Sequence, residues 1–355
     1  MKLLHVVGAR PNFPKLAPVH RAANAIGARQ VVVHTGQHYD DALSGAFFRD
    51  LGIAAPDINL EVGSSSHAAQ MARIMERIEP VLIREAPDWV VVYGDVNSTA
   101  GAALVASKLG QRVAHVEAGL RSYDRSMPEE INRLVTDRLA DLLLTPSTDA
   151  SETLLKEGEP ASEIEFVGNV MIDSLFYTLD AARKTGYRES LGLGAREAVV
   201  VTLHRPSNVD DPERLEAIVD ALKAIAEKKP VVFAVHPRTA ARLTASGLST
   251  GKVKMLGAIP YLHMVDLVAD ASVVVTDSGG LQEETTALGV PCLTVRENTE
   301  RPITVTEGTN RLMPDPAKLV EATLGITPST NKRRPDGWDG HAGERIAQAL
   351  AKRTA

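Results

Sequence analysis

Short apolar runs recur along the whole chain and alternate with longer segments whose apolar residues follow helical spacing. The runs are apolar at consecutive positions, which is typical of strands buried on both faces of a parallel sheet. They predict strands at Leu3–Val7, Gln30–His34, Trp89–Tyr93, Val113–Val116, Leu142–Thr145 and Glu165–Val167, and then at Ala198–Leu203, Val231–Val235, Val253–Leu256, Ser272–Thr276 and Pro291–Thr294. The helices predicted between them include Leu16–Ile26, Ser66–Glu85, Ser98–Leu109, Pro212–Lys228 and Gly280–Leu288.

The alternation of strand and helix is repeated in the two halves of the chain, which predicts an α/β protein of two Rossmann-like domains. We expect the first domain at residues 1–168 and the second at residues 169–340, joined by a helix from about Val170 to Lys184. A final helix is predicted within residues 341–355, and the sequence leaves open which domain it packs against. The two parallel sheets are expected to face a central cleft.

Composition narrows the possible partners. The length of 355 residues predicts about two domains, and a hydrophobic content of 44% is typical of a globular core. A formal net charge of −6 argues against general binding to nucleic acid or to an acidic membrane surface. No apolar stretch reaches the roughly 18 residues that a membrane span needs. The single cysteine, Cys292, lies in an apolar run, so we expect a buried strand residue and a cytoplasmic protein.

Ionisable residues follow the predicted strands of the first half, at the point where each strand ends. They are Arg10, Lys15, Asp95 and Glu117, with Glu129 opening a helix shortly afterwards. In an open parallel sheet, ligands bind beyond the carboxyl ends of the strands, so these carboxylates are candidates for acid/base catalysis. The alternative interpretation of Glu129 and Glu130 is that they stabilise a helix N-terminus by their charge.

Ser278-Gly279-Gly280 marks a candidate phosphate site in the second half, between a strand and a helix. Glycine allows close backbone approach, and the first N–H groups of a helix bind phosphate. Glu284, one turn further, is placed to reach a ribose diol. The alternative is an ordinary turn capped by Ser278. Further candidates around this site are His204, Arg205, His236 and Arg301.

Several common signatures are missing. Without Gly-x-Gly-x-x-Gly or a Walker sequence, neither a nicotinamide cofactor nor ATP is expected, and without Gly-x-Ser-x-Gly a serine hydrolase is not supported. The histidines lack metal-site spacing except for His34 and His38, which flank a predicted turn. We therefore expect no cofactor and no metal.

The chain resembles bacterial and archaeal UDP-N-acetylglucosamine 2-epimerases over nearly its whole length. The motifs that carry the resemblance are Gly8-Ala9-Arg10-Pro11, Gly36-Gln37-His38, Gly94-Asp95, His115-Val116-Glu117-Ala118-Gly119-Leu120-Arg121, Pro128-Glu129-Glu130-Ile131-Asn132-Arg133, Gly168-Asn169, His204-Arg205 and Thr276-Asp277-Ser278-Gly279-Gly280-Leu281-Gln282-Glu283-Glu284. The blocks around Glu117 and Glu129 are specific to this group, whereas Ser-Gly-Gly before an acidic helix is shared with two-domain glycosyltransferases. One departure is local, because Pro206-Ser207-Asn208 stands where the family often has Arg or Glu.

This resemblance implies a glycosyltransferase-B-like fold in which the second domain holds most of the UDP. It places phosphate contacts at Ser278-Gly279-Gly280, a ribose contact at Glu284 and a nucleotide contact at Arg301. Ile259 and Met264 stand where the family cradles uracil, often with a polar residue and an aromatic residue. The positions matching the family's active site are Arg10, Lys15, Asp95, Glu117, Glu129, Arg133 and His204. A homodimer is also implied, and in some bacterial members activation by substrate, for which Gln37, His38 and His236 are candidate contacts.

The implied reaction is reversible C2 epimerisation of UDP-N-acetylglucosamine to UDP-N-acetylmannosamine, by elimination of UDP to a 2-acetamidoglucal and re-addition. It needs an acid and a base on opposite faces of C2, and stabilisation of the departing diphosphate. Asp95, Glu117 and Glu129 are the acid/base candidates, with the individual roles left open. The groups expected to hold the leaving group are His204, Arg205 and Arg10.

Four alternatives remain at this point. A hydrolysing epimerase would release N-acetylmannosamine and UDP from the same residues, and a related enzyme would epimerise another UDP-acetamido sugar. A retaining glycosyltransferase and a non-catalytic UDP-sugar sensor are less well supported, because neither needs three carboxylates at C2.

Overall fold

The computed structural model describes residues 1–36, 50–326 and 334–354, except for the side chain of Arg10. Gln37 and His38 lie outside the described residues. The chain divides into two compact units, an N-terminal unit of Met1–Tyr177 with Asp336–Ala355, and a C-terminal unit of Thr178–Pro335. Each unit contains a parallel sheet with helices between its strands, which confirms the prediction of two Rossmann-like α/β domains.

The N-terminal unit has, in its described part, a seven-stranded sheet in the order β3-β2-β1-β4-β5-β6-β7, with every pair parallel. Its strands are β1 (Lys2–Val7), β2 (Arg29–His34), β3 (Ile58–Asn59), β4 (Trp89–Tyr93), β5 (Val113–Val116), β6 (Leu142–Thr145) and β7 (Ile164–Phe166). Its helices are α1 (Phe13–Ala25), α2 (His67–Glu85), α3 (Asn97–Lys108), α4 (Pro128–Leu139), α5 (Thr148–Lys156) and the first part of α6 (Val170–Lys184).

The C-terminal unit has a six-stranded parallel sheet among its described residues, in the order β10-β9-β8-β11-β12-β13. Its strands are β8 (Val199–Thr202), β9 (Val231–Ala234), β10 (Lys254–Leu256), β11 (Val273–Thr276), β12 (Cys292–Thr294) and β13 (Asn310–Leu312). Its helices are α7 (Tyr187–Ser190), α8 (Pro206–Val209), α9 (Pro212–Ala226), α10 (Pro237–Ser246), α11 (Tyr261–Ala269), α12 (Gly279–Leu288), α13 (Ile303–Thr306) and α14 (Leu319–Leu324). Cys292 is buried in β12, as predicted.

The sheet of the C-terminal unit is covered on both faces, which explains its continuous apolar strands. Val199 and Val201 of β8 belong to one buried cluster, which also contains Leu222 of α9. Val200, between them, belongs to a second cluster with Leu267 of α11. Because successive strand residues point to opposite faces, both faces must be apolar at once, and a valine run is the result.

The last helix, α15 (Ala342–Thr354), belongs to the N-terminal unit. The carboxylate of Asp173 accepts hydrogen bonds from the backbone N–H groups of Ala342 (3.1 Å) and Gly343 (2.7 Å), and so caps this helix. Gly343 lies so close to Pro18 of α1 that a Cβ would be 2.6 Å from its backbone. These contacts tie α15 to α1 and α6, so the units divide inside α6 and after Pro335 rather than at the expected residues 168 and 340.

In the part of the chain that the structure describes, no helix combines the length and the apolar character required to cross a membrane.

Candidate functional site

Four predicted site residues of the N-terminal unit lie on segments that follow three neighbouring strands. β1, β4 and β5 are adjacent and parallel, so their carboxyl ends meet at one edge of the sheet. Asp95 follows β4 and Glu117 follows β5 directly. Lys15 lies near the start of α1, and Arg133 lies on α4. The structure therefore brings these four side chains to the edge where an open parallel sheet binds its ligands.

Glu117 and Lys15 form a buried ion pair at this edge, with Glu117 Oε2 in direct contact with Lys15 Nζ. Gly94 lies beside the pair with a φ of +64°, and a Cβ there would be 2.5 Å from Lys15 Nζ. Glu117 itself has a φ of +74°, a region that non-glycine residues seldom adopt and that is often found at functional sites. Hydrogen bonds of 3.1 Å from the N–H groups of Glu117 and Ala118 to the carbonyl of Leu144 hold this turn.

Asp95 is paired with Arg133, whose NH1 directly contacts Asp95 Oδ2. Arg133 is also bound to Glu130 through NH2 (2.7 Å) and Nε (3.1 Å). Glu130 Oε2 accepts hydrogen bonds of 2.9 Å from both the N–H and the hydroxyl of Ser122. Burial opposes ionisation of Glu130, but the Ser122 N–H and the Arg133 guanidinium outweigh it and hold the pKa of Glu130 below its ordinary value. Arg133 is thus fixed as the cation beside Asp95.

Helix α4 has its polar side buried and part of its apolar side exposed, the reverse of an ordinary surface helix. Its buried residues are Glu130, Asn132, Arg133, Thr136 and Asp137. Ile131 and Val135 are exposed, at 41% and 39%. Glu129 also lies on the exposed side, in the first turn. Its proposed catalytic role therefore stays a prediction, while the adjacent Glu130, which the sequence offers with Glu129 as either an acid/base group or a helix-start acid, is the buried partner of Arg133.

Asp277 organises the corresponding edge of the C-terminal unit. It is buried directly after β11, and its carboxylate accepts hydrogen bonds from the N–H groups of His204 (3.0 Å) and Arg205 (2.9 Å) and from Nδ2 of Asn208 (3.1 Å). Its Oδ1 also lies 2.9 Å from His204 Nδ1. Burial opposes ionisation, yet the His204 ring and these donors together lower the pKa of Asp277. Asp277 therefore orients His204 so that Nε2 is the ring nitrogen available for a ligand.

Ser278-Gly279-Gly280 lies where β11 gives way to α12, and the helix begins at Gly279. All three residues are partly exposed, unlike the buried residues on either side of them. A Cβ on Gly279 would lie 2.5 Å from Arg301 NH1 and 2.9 Å from Glu300 Oε1. Glycine at position 279 therefore leaves room for the charged side chains behind this turn.

Arg301 lies behind the turn in a buried cluster of alternating charges. Its NH1 is 2.6 Å from Glu300 Oε1, and its Nε is 3.0 Å from Glu283 Oε1. Glu300 also pairs with Arg296 at 2.8 Å and with Arg205 at 3.6 Å. Burial alone would raise the pKa of Glu300, but Arg301 and Arg296 reverse that effect and lower it well below the usual range. Three arginines therefore lie here with two glutamates, and arginine side chains suit the binding of phosphate. A direct contact of Arg301 with the nucleotide stays a prediction.

Glu284, the expected ribose ligand, is buried in α12 and accepts a 3.0 Å hydrogen bond from the Tyr261 hydroxyl. Burial first, and then the charge of Glu283, raise the pKa of Glu284 to about 7, although the Tyr261 bond acts in the opposite direction. A buried carboxylate with one neutral partner is costly in a folded protein. Such a group is a functional-site candidate, because a ligand hydroxyl would supply the bonds it lacks.

The remaining predicted residues have separate surroundings. Ile259 and Met264 are partly buried against the apolar cluster around Val274. His236 is exposed at the start of α10, where its Nδ1 accepts a 3.2 Å bond from the Arg238 N–H, and its ring centroid is 5.7 Å from that of His204. Arg10 begins the 3-10 helix Arg10–Asn12, and its side chain lies outside the described residues.

The sequence matches the family described as UDP-N-acetylglucosamine 2-epimerase over residues 20–351. The chain belongs to this family. It is 41% identical over 365 residues to the UDP-N-acetylglucosamine 2-epimerase of Methanocaldococcus jannaschii, with 99% of each chain covered. The crystal structure of the M. jannaschii UDP-GlcNAc 2-epimerase in complex with UDP-GlcNAc and UDP matches with a TM-score of 0.89 and 40% identity, covering 99% of this chain and 100% of that one.

One similar member of the same family is named for a different sugar. The UDP-2,3-diacetamido-2,3-dideoxy-D-glucuronate 2-epimerase of Pseudomonas aeruginosa is 40% identical over 361 residues, covering 99% of this chain and 100% of that protein. The family assignment confirms the resemblance seen in the motifs, and it includes epimerases of more than one UDP-acetamido sugar. Both relatives are named as 2-epimerases, so the position of the reaction on the sugar is common to them.

Proposed function

We propose that this protein interconverts UDP-N-acetylglucosamine and UDP-N-acetylmannosamine by eliminating UDP to a 2-acetamidoglucal and adding it back. The observation that carries the proposal is the meeting of Asp95 and Glu117, each beside a buried cation, at the carboxyl ends of β4 and β5. A hydrogen on C2 next to an acetamido group is only weakly acidic. Its removal becomes feasible when the C1–O bond to UDP breaks at the same time, which calls for paired acid/base groups.

In this mechanism the N-terminal unit acts on the sugar. One carboxylate removes the C2 proton while the C1–O bond breaks, and a proton delivered to the opposite face of C2 precedes the return of UDP. Lys15 and Arg133 hold Glu117 and Asp95 in place through their ion pairs. Glu129, exposed in the first turn of α4, is the third candidate for proton transfer. The assignment of base and acid among the three stays open.

The C-terminal unit holds the UDP part in this proposal. The first N–H groups of α12 and the positive cluster around Arg205 suit the diphosphate. His204, oriented by Asp277, stabilises the charge that develops on the departing β-phosphate. Glu284 suits the ribose diol, and Ile259 and Met264 supply apolar surface for the base.

A second candidate substrate is a UDP-2,3-diacetamido uronic acid, which the similarity to the P. aeruginosa enzyme favours. The proton chemistry at C2 would be the same, and the sugars differ at C3 and C6. A direct comparison of kcat/KM for the two substrates decides between them.

The test is proton NMR of UDP-N-acetylglucosamine incubated with the enzyme in deuterium oxide. We expect UDP-N-acetylmannosamine to appear, and we expect both epimers to gain deuterium at C2, because the proton on C2 is exchanged in every turnover. Free N-acetylmannosamine with UDP as the main product would establish a hydrolysing enzyme instead. If the protein still binds UDP but the NMR spectrum of UDP-N-acetylglucosamine does not change, the proposal is overturned for this substrate.

Glu117→Gln is the variant that links the activity to the site. It keeps the size of the side chain and removes its charge and its basicity, so we expect kcat to fall about 10²–10⁴-fold, the usual worth of a general acid or base. Glu152→Gln, on the exposed face of α5 in the same unit, is the matched control and should leave kcat unchanged. The UDP dissociation constant of both variants should stay close to that of the unmodified protein.

We propose further that the active form is a homodimer, as the family resemblance implies, and that it works in the cytoplasm, which the single cysteine favours. Light scattering on the purified protein, at concentrations bracketing the assay, measures its mass directly. A mass of one chain at all concentrations would contradict the dimer.

A further inference from the structure

His115, which precedes Glu117 by two residues on β5, is fully buried and bonded at both ring nitrogens. Its Nδ1 lies 2.6 Å from Asp137 Oδ1, and its Nε2 lies 2.8 Å from the carbonyl oxygen of Gly94. These two contacts fix the orientation of the imidazole ring. The side chain therefore connects α4 to the turn that ends β4.

Asp137 also ties down the turn that follows β5. Its Oδ2 accepts a 3.1 Å hydrogen bond from the Gly119 N–H and lies 2.7 Å from Arg121 NH1. Arg121 in turn makes a paired contact with Glu157, with bonds of 2.9 Å and 2.7 Å. Burial opposes a charge on Asp137, but His115 and Arg121 lower its pKa below the ordinary value. The carboxylate thus serves as a charged anchor for three backbone or side-chain groups around β5.

The two turns anchored in this way carry the acid/base candidates. Gly94 immediately precedes Asp95, and Glu117 lies between His115 and Gly119. Both Gly94 and Glu117 have left-handed backbone conformations, with φ of +64° and +74°. A left-handed glutamate persists only where neighbouring contacts fix the backbone. Displacing the Gly94 carbonyl would move Asp95, and displacing the Gly119 N–H would move Glu117, so either change would alter the distance between the two carboxylates.

We infer that His115 and Asp137 form a positioning pair that sets the distance between the Asp95 and Glu117 turns for proton transfer at C2. This inference rests on the proposed epimerase function. Neither residue is accessible, and each acts on the reaction through the backbone it holds. Errors of about 1 Å in such groups reduce rates by about 10²-fold, so the pair should affect kcat far more than KM.

The experiment compares kcat and KM for four variants of the full chain. His115→Phe removes both hydrogen bonds and should lower kcat about 100-fold, with KM changed by less than about 3-fold. Asp137→Ala should do the same. Asp137→Asn retains an oxygen for Gly119 and Arg121 and an NH₂ that can donate to His115 Nδ1, so the ring can still donate to Gly94. We expect Asp137→Asn to restore kcat to within about 10-fold of the unmodified enzyme, since it preserves the geometry.

His5→Phe is the matched control. His5 is equally buried in the same sheet and bonds at both ring nitrogens, to Tyr93 (2.7 Å) and Gln30 (2.8 Å), but it anchors neither turn. It should lower thermal stability and leave kcat within about 3-fold, which separates positioning from general destabilisation.

Equal losses of kcat in His5→Phe and His115→Phe, or equal losses in Asp137→Asn and Asp137→Ala, would overturn the inference. If His115→Phe does not fold, His115→Gln replaces it, because its amide cannot bridge both Asp137 and Gly94, and the same loss of kcat is expected. An unmodified enzyme that binds UDP but fails to epimerise UDP-N-acetylglucosamine would instead overturn the proposed function, a result visible before any variant is made.

Discussion

Replacing Glu284 by Gln should stabilise the C-terminal unit at alkaline pH and weaken nucleotide binding at the same time. Burial and the charge of Glu283 raise the pKa of Glu284 from 4.5 to about 7 in the folded protein. A folded-state pKa above the unfolded value means that stability is lost as the pH rises from about 4.5 through 7. The shift corresponds to roughly 3 kcal/mol. Gln keeps an oxygen for the Tyr261 hydroxyl and carries no charge, so the variant should gain up to that amount above pH 8 and nothing below pH 4.5.

Urea unfolding at several pH values measures this effect in the appropriate unit. Both tryptophans, Trp89 and Trp338, lie in the N-terminal unit, so their fluorescence reports that unit alone. Circular dichroism reports helices of both units. We expect Glu284→Gln to flatten the pH dependence of the dichroism transition and to leave the fluorescence transition where it is.

Calorimetry at pH 8 measures how Glu284→Gln affects UDP binding. Loss of a charge-assisted contact with the ribose hydroxyls should weaken binding about 10-fold or more. Glu213→Gln, exposed in the first turn of α9, should change neither stability nor affinity. Identical pH dependence of stability in Glu284→Gln and the unmodified protein would refute the reasoning, since no buried charge would then be relieved.

Three further predictions follow from the same geometry. Gly94→Ala should lower kcat at least 10-fold and destabilise the N-terminal unit by about 1–2 kcal/mol, as measured by tryptophan fluorescence. The reason is that φ is +64° at this position and that the new Cβ would displace Lys15 Nζ. Unchanged kinetics would contradict this prediction. Asp277→Asn should lower the free energy of unfolding by about 2–4 kcal/mol and weaken UDP binding, because one amide oxygen cannot replace the carboxylate at His204 and Arg205. A stable variant with full affinity would argue against this role of Asp277. Asp173, whose pKa burial raises to about 6, should make the N-terminal unit lose stability between about pH 4 and 6, and Asp173→Asn should remove that slope in the fluorescence transition.

Sequence patterns were sufficient for the strands that are apolar throughout. β4, β5 and β6 begin and end where their valine and leucine runs predict. β3 and β13 were not predicted, because Ile58–Asn59 and Asn310–Leu312 contain no apolar run. Both lie at a sheet edge, where one neighbouring strand is enough to define them.

The site was predicted less completely, because the sequence shows which residues follow a strand but not which side chains turn inward. Glu129 and Glu130 are adjacent in the sequence, yet a helix rotates neighbours by about 100°, so one is exposed and the other is buried against Arg133. A signal was present in the spacing of Glu130, Arg133 and Asp137, which places three charged residues on one helical face. The sequence indicates the role of Asp277 less clearly, because only the structure shows that its carboxylate faces His204.

Charge pairing explains how so many ionisable groups remain buried in both units. Each buried carboxylate of the N-terminal site, from Glu117 to Asp137, has a cation within contact distance, which offsets the cost of removing it from water. Glu284 has a neutral partner, Tyr261, and its pKa is correspondingly raised.

The central claim, that UDP leaves and returns during epimerisation, is tested most directly by positional isotope exchange. UDP-N-acetylglucosamine labelled with oxygen-18 in the bridge between C1 and the β-phosphorus is incubated with the enzyme, and the label is followed by phosphorus NMR. Breaking the C1–O bond frees the β-phosphate to rotate, so we expect the label to appear in non-bridging positions of recovered substrate and product. Epimerisation with the label still wholly in the bridge would contradict the elimination mechanism.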